Sequence, residues 1–404
     1  MAPEVDALEE FRQLCGAVEE TEFRDADVDA ELRARLGAAA LAAASTREAR
    51  CPRAALVIVD HALLRCRDEG QRASLQKVAD RLDQALAAED DDGNEFFADG
   101  RAFDALAAHR LPAASRVRRI RVVHGGLAPV PAARKGEPAV FRRAVSDWPA
   151  VERWRRPRYL KRVIGHRTVP VEVGASWLVA NARDGARDGA PPLKQQRLMR
   201  VADFIDAFVV APRAAAGDDA AGDDAAGDDA SEAPFDAVAV SAVVPVTSAL
   251  TRAYLAQHRL FDQVPALRAD APGAFEAKSD LYKHFVANGP RAQDGEAPIV
   301  NAWFGAAGVT TPLHYDRHPN LLCHVVGRKL VLLWPRDAAI PAHDPPNENT
   351  SPVDVEPSVD AEAQSALPGA YAVVLEPGDV LAIPRGVWHY VRSLTPCFSV
   401  SVWY

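Results

Sequence analysis

Apolar residues recur at three- and four-residue spacing through most of the first ninety positions. Residues 5–20, 29–44, 52–66 and 71–88 keep that rhythm and are rich in Ala, Leu, Arg and Glu, which lose little freedom in a helix. The pattern predicts four helices, with Pro52 in a first turn, where its missing N–H costs nothing. A further helix is expected over 100–111, after an acidic turn at 90–94.

From about residue 116 the texture changes, and short aliphatic or aromatic runs replace the helical period. Residues 140–150 read as a strand turning into a helix, 157–165 as a short helix, 169–173 as a strand and 197–210 as an amphipathic helix. A helical patch is expected around 254–261. Beyond it, 299–304, 321–326, 329–334, 372–375, 380–384, 389–393 and 399–403 read as strands. Gly327, Pro377-Gly378-Asp379 and Arg385-Gly386 supply turns between them. Many short strands at this spacing predict a sandwich or barrel. The expected organisation is α+β: an α-helical N-terminal domain, 1–115, and a β-rich domain, 116–404.

The repeat GDDAAGDDAAGDDA, 217–230, interrupts the second domain. Its Ala, Gly and Asp bury too little apolar surface to offset ordering, so a disordered acidic insertion is expected at about 214–234. The repeat holds six aspartates of a chain whose formal charge is -9, which leaves the remainder near neutral. The four arginines of RVRRIR, 116–121, read as a solvated segment. Without a broad basic field, the composition argues against nucleic acid as the main ligand.

Five cysteines with no C-x-x-C pair exclude a disulfide framework and point to a reducing compartment, cytoplasmic and/or nuclear. The acidic start, MAPEVDALEEF, lacks the apolar core of a signal peptide. No apolar run approaches the roughly 18 residues that span a bilayer, so no membrane partner is expected.

The chemistry concentrates at Thr311-Pro312-Leu313-His314-Tyr315-Asp316. On a strand, residues two apart share a face, so His314 and Asp316 could grip one metal ion. Trp388-His389-Tyr390-Val391 offers a third ligand, His389. Two imidazoles and a carboxylate form the facial triad of non-haem Fe(II) oxygenases, which leaves positions open for a bidentate co-substrate and O2. An oxoacid co-substrate also needs a cation for its far carboxylate, and Lys329 follows the first motif. Thr311 and Asn320 flank that motif as hydrogen-bonding groups. Each piece also has a plainer reading: a non-metal H-x-D triplet, a packed His389, an exposed Arg328–Lys329 pair. His318, His324 and His343 read as core or surface residues.

The chain resembles the jumonji C (JmjC) family of the cupin superfamily, in particular its protein-hydroxylase branch. The residues carrying the resemblance are YLAQHRLFDQVP (254–265), NAWFG (301–305), PLHYD (312–316), VGRK (326–329) and the stretch 384–403, with DWPA (147–150) and VEVG (171–174) upstream. The resemblance covers roughly residue 122 to the C-terminus. It implies a double-stranded β-helix, a jelly-roll of cupin-like JmjC type, with iron at His314, Asp316 and His389. It implies 2-oxoglutarate contacts from Tyr254, Thr311, Asn320 and Lys329, with O2 as the second co-substrate. Thr311 keeps the hydroxyl of the family's serine. Glu172 and Trp303 match substrate-side positions, where Glu172 would pair with a guanidinium and Trp303 would wall the pocket. A strand glutamate facing solvent and a core tryptophan are the plainer readings of those two residues.

The expected activity is therefore hydroxylation of a protein or peptide side chain, arginine in the first instance. N-methyl-lysine demethylation of histones is the alternative, and a non-catalytic metal-binding cupin module is a third reading. Trp177 stands where the family has tyrosine, and the acidic insert is a further departure. Both bear on substrate choice more than on cofactor chemistry.

Overall fold

A computed structural model describes residues 2–21, 26–49, 51–89, 118–123, 137–174, 194–209, 252–275, 298–353, 355 and 370–404. Contacts divide it into two compact units: one built on Met1–Gly93 that takes in Ile164–Thr168, and one holding the rest of the described chain. The expected helix at 100–111 and the acidic insertion at 214–234 lie outside the described residues, as does Trp177.

The first unit contains four helices, α1 (Ala2–Thr21), α2 (Ala26–Arg47), α3 (Pro52–Arg65) and α4 (Glu69–Glu89). Their apolar stripes meet in one core. On α4, Leu75, Ala79, Leu82 and Leu86 fall at the spacing that keeps one helical face buried, and Leu56, Val59 and Leu63 do the same on α3. Within this unit the fully buried Arg167 binds Asp60 at 2.7 Å and also bonds Asp83, while Asp60 accepts the Thr168 N–H at 2.8 Å. Burial alone would lower the arginine's pKa, but the two carboxylates more than reverse that and hold it charged.

In the second unit, β1 (Arg118–Arg119), β2 (Arg121–Val123) and β3 (Ala139–Phe141) come first, followed by α5 (Pro149–Arg153) and α6 (Pro157–Ile164). Then follow β4 (Thr168–Gly174), β5 (Lys194–Arg200), α7 (Val201–Phe204), β6 (Arg252–His258) and α8 (Leu260–Gln263). The remaining strands are β7 (Ile299–Gly305), β8 (Thr310–Tyr315), β9 (Asn320–Val326), β10 (Lys329–Trp334), β11 (Tyr371–Leu375), β12 (Val380–Ile383), β13 (Trp388–Ser393) and β14 (Cys397–Trp403).

Among the described residues these strands form two sheets, ordered β1-β11-β10-β13-β8 and β2-β3-β12-β9-β14-β7-β6-β4-β5. The expected double-sheet, jelly-roll-like architecture with N-terminal helices is what the strands build. Val331, Leu333, Val373, Leu375 and Val391 from the first sheet meet Val140, Leu322, Leu381 and Ile383 from the second in one apolar cluster. From β7 to β10, and again from β11 to β14, successive strands alternate between the two sheets and are joined by tight turns. At Gly327, between β9 and β10, φ is +80° and an added Cβ would lie 2.0 Å from the Pro396 carbonyl, so only glycine fits.

Three expectations need correction. Residues 116–121 are not merely a solvated segment: β1 and β2 pair in parallel with β11 and β3, and Ile120 between them is buried. Residues 252–258 form strand β6 rather than a helical patch; the helix starts only at Leu260. β6 is held between β4 and β7, and those backbone partners outweigh local helix preference. Likewise β5 runs to Arg200, so the expected helix at 197–210 is shortened to α7 and a π-helical turn, Ile205–Val209.

Candidate metal centre and its pocket

β8 and β13 are antiparallel neighbours, and their register places His389 directly opposite His314. Opposed residues project from the same face of a sheet, so the two imidazoles meet with ring centroids 4.1 Å apart. Asp316 lies just beyond the end of β8, two residues after His314. Its carboxylate oxygens stand 3.6 Å from His314 Nε2 and 3.8 Å from His389 Nε2. One ligand atom from each residue lies within 4.8 Å of the other two. This is the only such potential metal-binding group among the described residues.

The surrounding backbone selects the histidine tautomers. His314 Nδ1 donates to the Pro312 carbonyl at 2.8 Å, and His389 Nδ1 donates to the Val387 carbonyl at 3.0 Å. A carbonyl oxygen only accepts, so each Nδ1 carries a hydrogen and each Nε2 is the nitrogen that faces Asp316. Burial, and then the neighbouring His389, push the pKa of His314 below the usual histidine range and keep it neutral, as a metal ligand must be. Asn320 Nδ2 donates to Asp316 Oδ2 at 2.9 Å and orients the carboxylate. Asn320 Oδ1 is buried without a partner.

These groups line a solvent-connected cavity together with Tyr254, Trp303, Thr311 and Lys329. Leu322, Ile383 and Val391 complete its apolar wall. Sequence reasoning missed those three, because nothing in an aliphatic strand residue marks it as a pocket wall instead of core. It also missed Pro312 and Val387, which act only through backbone carbonyls.

Lys329 begins β10 with its side chain buried, and desolvation lowers its pKa. No carboxylate of the described residues forms an ion pair with it. Its ammonium lies 6.0 Å from the centroid of the Tyr254 ring. Tyr254 is hydrogen-bonded to Thr311, and burial raises the phenol's pKa so that it stays protonated. The ring lies against Gly305, where a Cβ would come within 2.6 Å of it, so the glycine makes room for this tyrosine.

Trp303 is half-buried on β7; its Nε1 donates to Ser401 Oγ at 2.9 Å and its ring is 5.9 Å from that of Tyr254. Glu172 is not on the cavity lining. It sits on β4 in register with Tyr254, half-buried, on the same sheet face. His324 is core, bonded to Ser399 and the Gly327 carbonyl, whereas His318 is exposed and stacks on Trp403. All five cysteines are free thiols, and no helix among the described residues is long and apolar enough to cross a membrane.

Two imidazoles and one carboxylate suit a borderline divalent cation such as Fe(II) and leave the cavity side of the site open. An enclosed ammonium without a carboxylate partner, beside a phenol, a threonine and the unpartnered Asn320 oxygen, suits a small ligand carrying an anionic end. The residues present thus fit both a metal ion and an oxodicarboxylate.

The family model described as a cupin-like domain matches residues 132–404. Lysine-specific demethylase JMJ30 of Arabidopsis thaliana is 32% identical over 273 residues, covering 67% of this chain and 50% of that protein. Jumonji C domain-containing protein 5 of Drosophila melanogaster is 30% identical over 280 residues, 67% of this chain and 55% of its own length. Lysine-specific demethylase 8 of Xenopus tropicalis is 30% identical over 278 residues, 66% and 48% respectively. The chain spans about half the length of these curated relatives. Sheet architecture, the His–Asp–His cluster and this span of similarity agree: the chain belongs to the cupin-like family of jumonji C proteins.

Proposed function

We propose that the chain is an Fe(II)- and 2-oxoglutarate-dependent oxygenase that hydroxylates a protein side chain, arginine being the target. The observation that carries this reading is the convergence of His314, Asp316 and His389 beside the buried ammonium of Lys329. Iron bound there, with 2-oxoglutarate and O2 as co-substrates, supplies the oxidising power for inserting oxygen into a C–H bond.

The protein's own part is positioning. His314, Asp316 and His389 hold the metal, and Asn320 keeps the carboxylate in place. Lys329 neutralises the far carboxylate of the co-substrate, with Tyr254, Thr311 and Asn320 as hydrogen-bonding partners. Leu322, Ile383 and Val391 keep water from that end of the pocket. Glu172, beside Tyr254, receives a guanidinium, and Trp303 walls the approach. The working organisation is a helical domain over residues 1–115 and a catalytic domain over 116–404, in the cytoplasm and/or nucleus.

A second reading, N-methyl-lysine demethylation, is favoured by the names of two of the relatives described above. A metal-binding module without catalysis would leave the buried Lys329 unexplained. Incubation with Fe(II), 2-oxoglutarate and ascorbate, followed by mass spectrometry of arginine-containing and methyl-lysine peptides, separates the readings. Gain of one oxygen with succinate release supports hydroxylation, loss of a methyl group supports demethylation, and no turnover with any peptide rejects both.

A further inference from the structure

The segment from α5 to α6, residues 149–164, carries Arg153, Arg155, Arg156, Arg158, Lys161 and Arg162 but only one acid, Glu152. Helix α6 turns Leu160 and Ile164 inward, which leaves Arg158, Lys161 and Arg162 on its outer side at three- and four-residue spacing. Arg155 and Arg156 are exposed on the turn before it, with 48% and 65% of their side chains open to solvent. Tyr159 lies between the guanidinium groups of Arg153 and Arg162, at 6.0 and 5.7 Å, and so gathers the two ends of the patch.

Three carboxylates of the described residues pair with this patch. Glu152 accepts from Arg155 at 3.3 Å and Arg156 at 2.5 Å, Asp206 from Lys161 at 2.7 Å, and Asp270 from Arg153 at 2.6 Å. Asp270 is buried and also takes the Trp154 and Tyr159 donors, so its charge is spent inside the fold. Six cations against three anions leave a surplus of three. Arg158 and Arg162 form no ion pair with any described residue.

The character of the surface decides its partner. Among the described residues the exposed large hydrophobics are Val122 and Ile299, and neither belongs to this patch. A protein partner needs apolar anchors at the centre of its interface, which this surface lacks. Five of the six cations are arginines, whose planar, weakly hydrated forks match phosphate oxygens in pairs. Tyr159 is occupied by its flanking arginines and by Asp270, so no ring is offered for base stacking.

We infer that the α5–α6 face is an electrostatic landing surface for the phosphate backbone of nucleic acid, read without regard to sequence. This surface stands apart from the metal centre and does not depend on the activity proposed for it. The chain's formal charge of -9 makes the contact weak and steeply salt-dependent. Reading residues 116–121 alone overlooked it, because these cations are divided between two short helices and the turn joining them.

The test is fluorescence anisotropy of a labelled DNA duplex titrated with the full chain across a salt series. About three phosphate contacts predict a log–log salt slope of about 3. The double variant Arg158→Glu/Arg162→Glu should lower the slope by about 2 and weaken low-salt affinity by about tenfold or more. Arg158→Gln/Arg162→Gln should fall between it and the parent, and decides the matter if the glutamate variant melts early. Absent binding at low salt, unchanged binding by the glutamine variant, or displacement of the duplex by polyglutamate at equal charge would each overturn the proposal.

Discussion

His314 and His389 are registered partners across β8 and β13, with both Nδ1 atoms tied to carbonyls two residues back in the chain. The pairing of two strands thereby becomes the geometry of a candidate metal site. Backbone hydrogen bonds set the distance between the rings, and the two carbonyls set which nitrogen each ring presents. The metal-binding capacity is therefore expected to exist before any metal arrives.

Alanine at His314 or at Asp316 should abolish high-affinity binding of a divalent ion. Removing even a residue that only supports a ligand typically costs ten- to a hundredfold in metal affinity, and losing a ligand costs more. Calorimetric titration with Mn(II) or Co(II) under anaerobic conditions reads this directly. Parent-like affinity in either variant would remove that side chain from the site.

Asn320→Ala should weaken the metal by about 10–100-fold while leaving the fold intact, because it frees Asp316 Oδ2 from its 2.9 Å anchor. The same variant should raise the 2-oxoglutarate concentration needed for succinate formation. A metal affinity equal to that of the parent would show that Asp316 is held by its backbone alone.

Lys329 makes a pH prediction. Desolvation lowers its pKa below the ordinary 10.5, so between the lowered value and 10.5 the unfolded chain binds a proton that the folded chain has released. Ligand-free stability should therefore rise with pH through that window, with the burial penalty complete below it. Lys329→Met should remove this part of the pH dependence and raise the melting temperature of the ligand-free protein at neutral pH, yet sharply increase the 2-oxoglutarate requirement. Parallel melting curves of parent and variant across alkaline pH would contradict the assignment.

Glu172→Ala should reduce peptide hydroxylation more than it reduces peptide-independent 2-oxoglutarate turnover, since it borders Tyr254 without lining the metal cavity. Succinate release measured with and without an arginine peptide gives the ratio. Equal loss in both assays would make Glu172 a structural residue of β4.

Much of this was legible along the chain because it is local. Four helices follow from apolar spacing, and seven of the later strands, Ile299 to Trp403, follow from short aliphatic runs between turn residues. His314 and Asp316 were legible as a pair because a strand places them two apart, and Lys329 because it opens the strand after Gly327. The strand state of 252–258 was not, since local preference there amounts to under about 1 kcal/mol per residue and the flanking strands β4 and β7 outweigh it. Ile120 looked solvated amid arginines for the same reason: its burial depends on β11 and β3.

The amino-acid sequence by itself determined the N-terminal helices, most of the later strands, the family and the candidate metal-binding side chains, because those rest on spacing within short segments. Only the tertiary structure decided that His389 stands opposite His314, that Lys329 is buried with no carboxylate of the described residues paired to it, and that Glu172 lies next to Tyr254 but outside the cavity wall. Each is a matter of strand register and burial, set by hydrogen bonds and packing between residues far apart in the chain.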